Sequence, residues 1–371
     1  MNKLKIALVK QEVYQDLYVC PVTEKDPGQI LFSSMGRVGP IALMSDLNAD
    51  FYIVKEESNK ETRIYQKVIP HIAPYLHLLK TETLDKIPGQ EFKSPGSPYP
   101  NGKYAVSCYT IDWGQYDIVI SINISLPTQL ILKYPQTLFA YMIGEANMAT
   151  GKARFGYDAT LNQMARGRIS HKCGAIDFPY TFVAKDTLEK IMQQYLGRPS
   201  ARKGIFMEIN STTERPVTRI PDHFQPLADA GYEIILHQQK IADNLKNIYD
   251  AKYFVKMGGR SIRGNSVAEA VSLGTLAIMN RDEVIHHELI IDECNVKTMD
   301  EMISLINRLE NDPELYRTLQ QKQRQVLHTY FFDAPLQSLI NCLKENRGLS
   351  KPRTYSRWNR LFDNLYFLKL R

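Results

Sequence analysis

Cysteines are few in this chain, and it has no long apolar run. Its 371 residues include five cysteines, and no two of them have the spacing of metal ligands or of a redox pair. We therefore expect a protein of the reducing cytoplasm rather than a disulfide-stabilised secreted domain. No apolar run reaches about 18 residues, so we expect no transmembrane helix. No repeat of roughly 20–50 residues is visible, which argues against a repeat architecture.

The excess of positive charge is confined to the C-terminal end. The formal net charge is +6, and residues 344–371 contain eight basic and two acidic side chains, so this tail accounts for the whole excess. A protein that binds nucleic acid normally spreads its basic charge over a folded face. Because the rest of the chain is neutral on balance, we expect no nucleic acid partner.

Strands and helices alternate along both halves, which indicates the α/β class with parallel sheets. The apolar segment at residues 6–9 ends at Lys10 and Glu12, so we interpret it as a first strand rather than a signal peptide. The length suggests two domains. Further predicted strands are 51–54, 116–122, 137–143, 204–209, 232–237, 252–257 and 276–279, and predicted helices are 186–196, 241–249, 299–310 and 313–329. The predicted divisions are an N-terminal domain over 1–196, a second domain over 204–330, and a helical segment with a basic tail over 331–371.

Residues 258–280 combine features that suit a nucleotide diphosphate. Glycines allow a backbone to approach a ligand closely, and the start of the helix that follows offers N–H groups and a partial positive charge to phosphate. Arg263 could add a charge-assisted contact. Glu269, about one turn inside the helix, could accept two hydrogen bonds from a ribose diol. The predicted donor-nucleotide residues of this segment are Gly258, Gly259, Arg260, Arg263, Gly264, Asn265, Ser266 and Glu269.

The spacing of Gly264, Glu269, Ala270 and Gly274 resembles the donor-nucleotide segment of GT-B glycosyltransferases, over roughly residues 200–330. The resemblance implies two Rossmann-like, doubly wound domains that face each other across a cleft. It also implies that helix dipoles and basic side chains, rather than a metal, stabilise the diphosphate. No Asp-x-Asp motif of the other large glycosyltransferase fold is present in the sequence, so we expect neither a metal nor another cofactor.

Two positions depart from the retaining members of that family. Ser261 stands where they usually have a second glutamate, and Leu276 stands where they tend to have proline. The spacing from Ser266 to Glu269 is closer to that of inverting members. The same two residues also have the spacing of a capping box, in which they would satisfy the helix end and bind nothing. Gly274 would then be an ordinary C-cap.

Other candidates follow the remaining strands of the second domain. Ser211 and Thr212 could meet a phosphate, Arg215 could add positive charge, and His237 could lie near the nucleotide base. Arg219 and Lys256 also lie at or near strand ends. Turns, solvated charges and a structural histidine are the alternative interpretations of these residues.

The base that deprotonates the acceptor should come from the first domain. Glu145 follows the predicted strand 137–143, at the edge where ligands gather in parallel sheets. Asp112, beside Trp113, is the second candidate. A carboxylate suits this role when burial raises its pKa.

These expectations indicate a metal-independent glycosyltransferase that moves a hexosyl or deoxyhexosyl group from a nucleotide-sugar donor to a growing or lipid-linked glycan. O-antigen, capsule or lipopolysaccharide assembly is the expected setting, and inversion is favoured. Two alternatives are an inactive glycosyltransferase-like module that scaffolds a biosynthetic complex, and a sugar-nucleotide epimerase of the same fold.

The tail adds a possible membrane contact. Trp358, Leu361, Phe362, Leu365 and Leu368 fall at helical spacing among basic residues. A basic amphipathic helix suits an anionic membrane surface, although the same stripe could pack on the body of the protein. We predict a cytoplasmic protein that is peripheral on the inner face of the membrane through residues 351–371.

Removal of the tail tests this prediction. The full chain is expected to float with vesicles that contain an anionic phospholipid, and a chain ending at Arg347 is expected to stay in the dense fraction. The shortened chain lacks both the apolar stripe and most of the basic excess. Vesicles of phosphatidylcholine alone are the control, and equal flotation of the two chains on anionic vesicles would contradict the membrane role.

Overall fold

The computed structural model describes residues 4–11, 18–19, 30–31, 47–55, 73–80, 108, 110–122, 126, 128–143, 157–162, 176–177, 187–208, 217–238, 241–259, 261–262 and 264–347. In chain order the strands are β1 (Ile6–Gln11), β2 (Tyr18–Val19), β3 (Ile30–Leu31), β4 (Asp50–Lys55), β5 (Leu76–Lys80), β6 (Ile118–Ile122), β7 (Leu138–Ile143), β8 (Ala159–Asn162), β9 (Ile176–Asp177), β10 (Ile205–Met207), β11 (Ile234–Ile235), β12 (Tyr253–Lys256) and β13 (Leu276–Met279). The helices are α1 (Thr128–Leu132), α2 (Thr187–Leu196), α3 (Gln225–Asp229), α4 (Ile241–Asp250), α5 (Asn265–Ser272), α6 (Met299–Asn311), α7 (Pro313–His328) and α8 (Ala334–Arg347). These elements form two compact units.

The first unit contains a parallel sheet of seven strands, in the order β5-β4-β1-β6-β7-β8-β9. The chain moves from β1 outward through β4 to β5, then returns to the other side of β1 and continues through β6 to β9. This reversal at the central strand is the strand order of a doubly wound, Rossmann-like sheet. The predicted α/β class and Rossmann-like character of this half are therefore confirmed.

The core of the first unit forms around Trp113. Its ring is fully buried among apolar side chains of β1, β6 and β7, and its indole N–H donates a hydrogen bond to the carbonyl of Cys108 (2.9 Å). Burial raises the pKa of the Cys108 thiol to about 12. Burial does the same to Cys294 in the second unit. Both thiols therefore stay protonated near neutral pH and behave as small apolar side chains.

Polar side chains tie together the amino ends of β4, β5 and β6. The Tyr116 hydroxyl donates to Asp50 Oδ2 (2.6 Å) and lies 2.7 Å from the Tyr52 hydroxyl. His77 Nε2 lies 2.8 Å from Asp50 Oδ1, and the imidazole stacks on the Tyr52 ring. Burial, together with the hydrogen bonds to Asp50 and Tyr52, raises the pKa of Tyr116. Ligands of parallel sheets bind at the carboxyl ends of the strands. The network occupies the opposite edge.

The second unit contains a parallel sheet of four strands, in the order β11-β10-β12-β13. All residues of β10, β12 and β13 are buried, as continuous apolar runs in parallel strands require. The strand order changes direction between β10 and β12, which makes the crevice at their carboxyl ends a topological switch point. The second α/β domain predicted from the sequence therefore has the expected parallel sheet.

Helix α2 belongs to the second unit, although we predicted it as the last element of the first domain. It packs against α4 and α5. Its residue Glu189 pairs with Arg202 Nη2 (2.5 Å) and with Arg324 of α7. The helix is amphipathic in either setting, so its sequence does not reveal which sheet it covers. After α7, a π-helical turn (Thr329–Asp333) leads to α8, which packs against β7 and β9 of the first unit.

The edge strand β13 is completed by a side chain rather than by another strand. Gln323 of α7 is 1% exposed, and its Nε2 donates to the carbonyl of Ala277 (2.7 Å) while its Oε1 accepts from the Ala277 N–H (2.9 Å). One amide side chain thus satisfies two backbone groups that a sheet edge would otherwise leave unpaired. Among the described residues, none of the helices is both long enough and apolar enough to span a bilayer.

Replacement of this glutamine should weaken the second unit. Gln323→Ala is expected to lower the free energy of unfolding by about 2–4 kcal/mol, because two buried backbone groups lose their partner. Gln321→Ala changes the same residue type at an exposed site of α7 and should change it by less than about 0.5 kcal/mol. Urea unfolding followed by circular dichroism measures both. Equal losses would show that the bonds to Ala277 contribute nothing specific.

Candidate functional site

The predicted nucleotide segment begins at the switch point of the second sheet. Glu208 directly follows β10 and is 5% exposed, and its N–H donates to the carbonyl of Val255 in β12 (2.9 Å). Gly258 lies two residues beyond the end of β12. Two neighbouring strands therefore deliver a buried carboxylate and a glycine loop to the edge of the sheet where ligands of α/β folds bind.

A buried ion pair holds the first glycine of the loop. The Lys256 side chain is 0% exposed, and its Nζ donates to Glu283 Oε2 (2.6 Å) and to the carbonyl of Gly258 (2.8 Å). Glu283 Oε1 accepts a hydrogen bond from the Gly258 N–H (2.9 Å). Both polar backbone groups of Gly258 are thereby fixed, at a φ of +72° that glycine adopts without strain. Lys256 is therefore engaged internally, contrary to our grouping of it with possible phosphate contacts.

The loop is attached at two further points to the segment that follows β13. The Ile262 N–H donates to the carbonyl of Glu283, and the Ile285 N–H donates to the carbonyl of Ile262, both at 2.9 Å, which makes a short parallel bridge with Val284. At Gly264, an added Cβ would lie 3.0 Å from Val284 Cγ1 and 3.5 Å from the Cβ of His286. The loop before α5 therefore lies directly against residues 283–286.

Gly264 is the N-cap of α5, with φ +108° and ψ 13°. The helix begins at Asn265, so Ser266 lies inside the first turn rather than at the cap. The capping-box interpretation of Ser266 and Glu269 is therefore wrong. A glycine has no side chain with which to accept hydrogen bonds from the first-turn N–H groups. The cap residue therefore leaves those donors and the positive end of the helix dipole to other partners.

Glu269 lies one turn inside α5 and is 8% exposed. Buried apolar residues surround it in sequence, and the neighbouring positions Val267, Ala268 and Ala270 are all 0% exposed. Burial disfavours a charged carboxylate unless polar groups meet it. A buried carboxyl group among these apolar neighbours departs from the local pattern, as functional residues often do.

The carboxyl end of α5 is fixed as well. Gly274 has φ +82°, its N–H donates to the carbonyl of Val271 (3.0 Å), and the Thr275 N–H donates to the carbonyl of Ala270 (2.9 Å). The C-cap residue is Leu273, and Gly274 is the left-handed residue directly after it in a Schellman motif, so Gly274 ends the helix as the structural interpretation expects. Arg202 Nη2 donates to the carbonyl of Leu273 (2.7 Å), which places a cation at the negative end of the helix dipole.

His237 lies two residues beyond β11 and is 5% exposed. Its Nδ1 lies 2.8 Å from the carbonyl of Gln238, and its ring packs against Phe206. Asn244 of α4 accepts from the Gln238 N–H (2.6 Å) and donates to the Gln238 carbonyl (2.8 Å). These contacts attach the turn after β11 to α4, and they give His237 a structural role in that turn. A contact of His237 with the nucleotide base stays a prediction.

Asp112 has a structural contact at the other edge of the first sheet. It is exposed and caps the 3-10 turn Trp113–Gln115, where its Oδ1 accepts from the Gly114 N–H (3.0 Å). The turn precedes β6, so Asp112 lies on the amino-end side, away from the carboxyl ends where ligands gather. Asp112 is therefore a poor candidate for the acceptor base, because its side chain is exposed and lies at the edge of the sheet opposite to the carboxyl ends.

The remaining candidates lie outside the described residues. Glu145, the first candidate for the base, comes two positions after the end of β7. The donor-side candidates in the same situation are Ser211, Thr212, Arg215, Arg260 and Arg263.

Sequence reasoning passed over two acidic residues at this site. Glu283 holds Gly258 from 25 positions away, and a local motif does not reveal so distant a partner. Glu208 was not among the predicted site residues, although it follows β10 directly and is buried. An acidic residue at the end of an apolar run was the available signal.

No protein-family model matches the chain, and no curated protein matches it either. Several solved structures are similar to it. A DNA-modifying β-glucosyltransferase, determined with and without uridine diphosphoglucose, is 13% identical with a TM-score of 0.41 and covers 92% of this chain and 100% of its own. Sucrose-phosphate synthase from Thermosynechococcus elongatus is 14% identical with a TM-score of 0.45, and covers 93% and 100%. A UDP-N-acetylglucosamine 2-epimerase is 13% identical with a TM-score of 0.42, and covers 96% and 100%.

Glycosyltransferases are thus among the structural neighbours, which is the class that residues 264–274 resemble. With TM-scores of 0.36–0.45 this likeness carries no argument about the function, which has to come from the chain's own residues.

A methyl group at Gly264 should destabilise the fold more than a methyl group at Gly231. Gly264→Ala is expected to lower the free energy of unfolding by about 1 kcal/mol more than Gly231→Ala. Both glycines have a positive φ, so both variants pay about 1–3 kcal/mol of backbone strain. At Gly264 the new Cβ also meets Val284, whereas at Gly231 it would lie more than 4 Å from every described atom outside its own neighbours. Urea unfolding gives the difference, and equal losses would mean that residues 283–286 do not confine the turn.

Proposed function

We propose that the chain is a glycosyltransferase that takes its sugar from a nucleotide-sugar donor bound by the second unit. The observation that carries this proposal is the start of α5. There, a positive-φ glycine cap opens a helix at the switch point of a parallel sheet, and a buried glutamate lies one turn further in. Glycosyl transfer requires a stabilised diphosphate leaving group and a held donor, and these features suit both requirements.

The diphosphate would bind against the loop of Gly258 and Gly259 and the first turn of α5. Backbone N–H groups and the helix dipole favour an anion there. The nearest buried cation, Lys256, is already neutralised by Glu283, so the charge of the diphosphate would be met by backbone dipoles and by Arg263 or Arg260. We propose that this suffices without a metal ion.

The ribose would bind at Glu269. A carboxylate can accept a hydrogen bond on each oxygen, which matches the two neighbouring hydroxyls of a ribose. Its low exposure strengthens such bonds, because water competes less for them. The distance of one helical turn between Gly264 and Glu269 would hold the sugar of the nucleotide next to its phosphates.

The acceptor is proposed to be a growing or lipid-linked glycan of O-antigen, capsule or lipopolysaccharide assembly, with Glu145 as the base. Inversion and transfer of a hexosyl or deoxyhexosyl group are part of the same proposal, supported by Ser261 at the position of the second glutamate of retaining members. In the presence of EDTA the transfer should continue. An epimerase or an inactive scaffold would bind the same nucleotides but would give no glycosylated acceptor.

Nucleotide binding is the first test. We expect that at least one of the diphosphates of uridine, guanosine, adenosine, cytidine and thymidine raises the melting temperature of the purified chain. At a hundredfold excess over Kd, binding raises the free energy of unfolding by about 2.7 kcal/mol. Glu269→Ala should weaken binding of that nucleotide about tenfold to a hundredfold, as expected for lost hydrogen bonds to a charged group. Isothermal titration calorimetry below the melting temperature measures the loss.

Glu314→Ala is the matched control, because this glutamate lies in the first turn of α7 with a side chain that is 78% exposed. It should bind the nucleotide as the wild type does. A wild type that none of the five diphosphates stabilises would refute the proposal, and so would an unchanged affinity in Glu269→Ala. Hydrolysis or epimerisation of the donor without transfer to any glycan would favour the alternatives.

A further inference from the structure

The ion pair between Lys256 and Glu283 holds one peptide unit on each side of Gly258. The N–H of Gly258 belongs to the peptide that it shares with Met257, and this N–H donates to Glu283. The carbonyl of Gly258 belongs to the peptide that it shares with Gly259, and this carbonyl accepts from Lys256. Since the orientations of both planes are set by side chains, the conformation of Gly258 between them is set as well.

The direction of the next N–H group follows from peptide geometry. In a trans peptide the C=O of one residue and the N–H of the following residue point in opposite directions. The carbonyl of Gly258 points toward the Lys256 ammonium, which is 0% exposed. The N–H of Gly259 therefore points away from this buried cation, and Gly259 itself is exposed. A backbone donor is thus directed outward, at the carboxyl end of β12.

The pair contributes geometry rather than net charge. Lys256 and Glu283 neutralise each other, with side chains that are 0% and 16% exposed. A buried pair of this kind costs desolvation energy, and well-packed apolar residues of similar size often replace such a pair without loss of stability. Stability alone therefore does not explain its presence beside the glycine loop.

We propose that Lys256 and Glu283 are positioning residues, which orient the Gly258–Gly259 peptide so that the Gly259 N–H donates to the diphosphate of the bound nucleotide. This inference rests on the nucleotide site proposed above and assigns it a specific contact. The pair itself does not touch the ligand. Removal of the pair should therefore weaken binding of the phosphate that this loop contacts and leave recognition of the nucleoside unchanged.

The test uses the full chain with the double substitution Lys256→Met/Glu283→Leu, which removes both attachments and leaves no buried charge unpaired. Titration calorimetry with the diphosphates and monophosphates of uridine, guanosine, adenosine, cytidine and thymidine gives, for each nucleoside that binds, the preference for diphosphate over monophosphate. We expect this preference to fall about tenfold, the size of one lost charge-assisted contact, while the affinity for the monophosphate stays unchanged. Hydrogen exchange of residues 257–262 should accelerate in the same variant.

The matched control is Lys322→Met/Glu293→Leu, which removes a Lys–Glu pair of the same unit whose side chains are 49% and 38% exposed. It should keep the wild-type preference and the wild-type exchange rates. The variant Lys256→Met/Glu283→Gln retains an acceptor for the Gly258 N–H and loses the lysine attachment. It should lie between the wild type and the Leu variant, and it provides the answer if the Leu variant does not fold.

An unchanged diphosphate preference in either pair variant, with a wild type that binds the nucleotides, would overturn the positioning role and leave the proposed donor site standing. A wild type that binds none of these nucleotides would overturn both. A loss of melting temperature with an unchanged preference would identify the pair as a stabilising contact alone, which also refutes the inference.

Discussion

The site depends on one constraint, the positive φ of Gly264 beneath Val284 and His286. With φ +108° and 3.0 Å between a hypothetical Cβ and Val284, glycine passes this point without strain, whereas a residue with a side chain would strain the backbone and crowd Val284. The turn brings α5 to its starting position without a capping side chain. The absence of a side chain that allows the turn therefore also leaves the cap residue without an acceptor for the first-turn N–H groups, so the shape of the turn and the missing side-chain cap have the same cause.

Helix α5 is fixed at both ends, and the two attachments differ in kind. Before the helix, Lys256 and Glu283 hold the backbone of Gly258 in an internally neutral arrangement. After the helix, Arg202 donates to the carbonyl of Leu273 and pairs with Glu189. A helix restrained in this way moves little when a ligand arrives, so less binding energy is lost to ordering. The fixed ends thus favour a preformed site over one that folds around its ligand.

The parallel sheets could be predicted because their strands are continuous apolar runs, and β13 was predicted with its observed bounds, 276–279. The cap of α5 could not, because Ser266 and Glu269 have the spacing of a capping box and only the backbone at Gly264 decides against it. The partner of Lys256 was also hidden, since Glu283 comes 27 residues later and adjoins it only through the pairing of β12 with β13. Periodicity reveals which face is buried, whereas long-range polar pairs depend on tertiary structure.

Donor binding and sugar transfer make different demands on the chain. The second unit by itself contains a glycine loop, a helix start and the buried carboxylate of Glu269, and the nucleotide site that we propose there does not depend on whether a reaction follows. Transfer additionally needs a base near the acceptor, and Asp112 lies at the wrong edge of the first sheet for that purpose. If a carboxylate does serve, Glu145 is the candidate that follows a carboxyl end. The enzymatic and the scaffold interpretations therefore share the proposed donor site and differ in whether Glu145 acts on an acceptor.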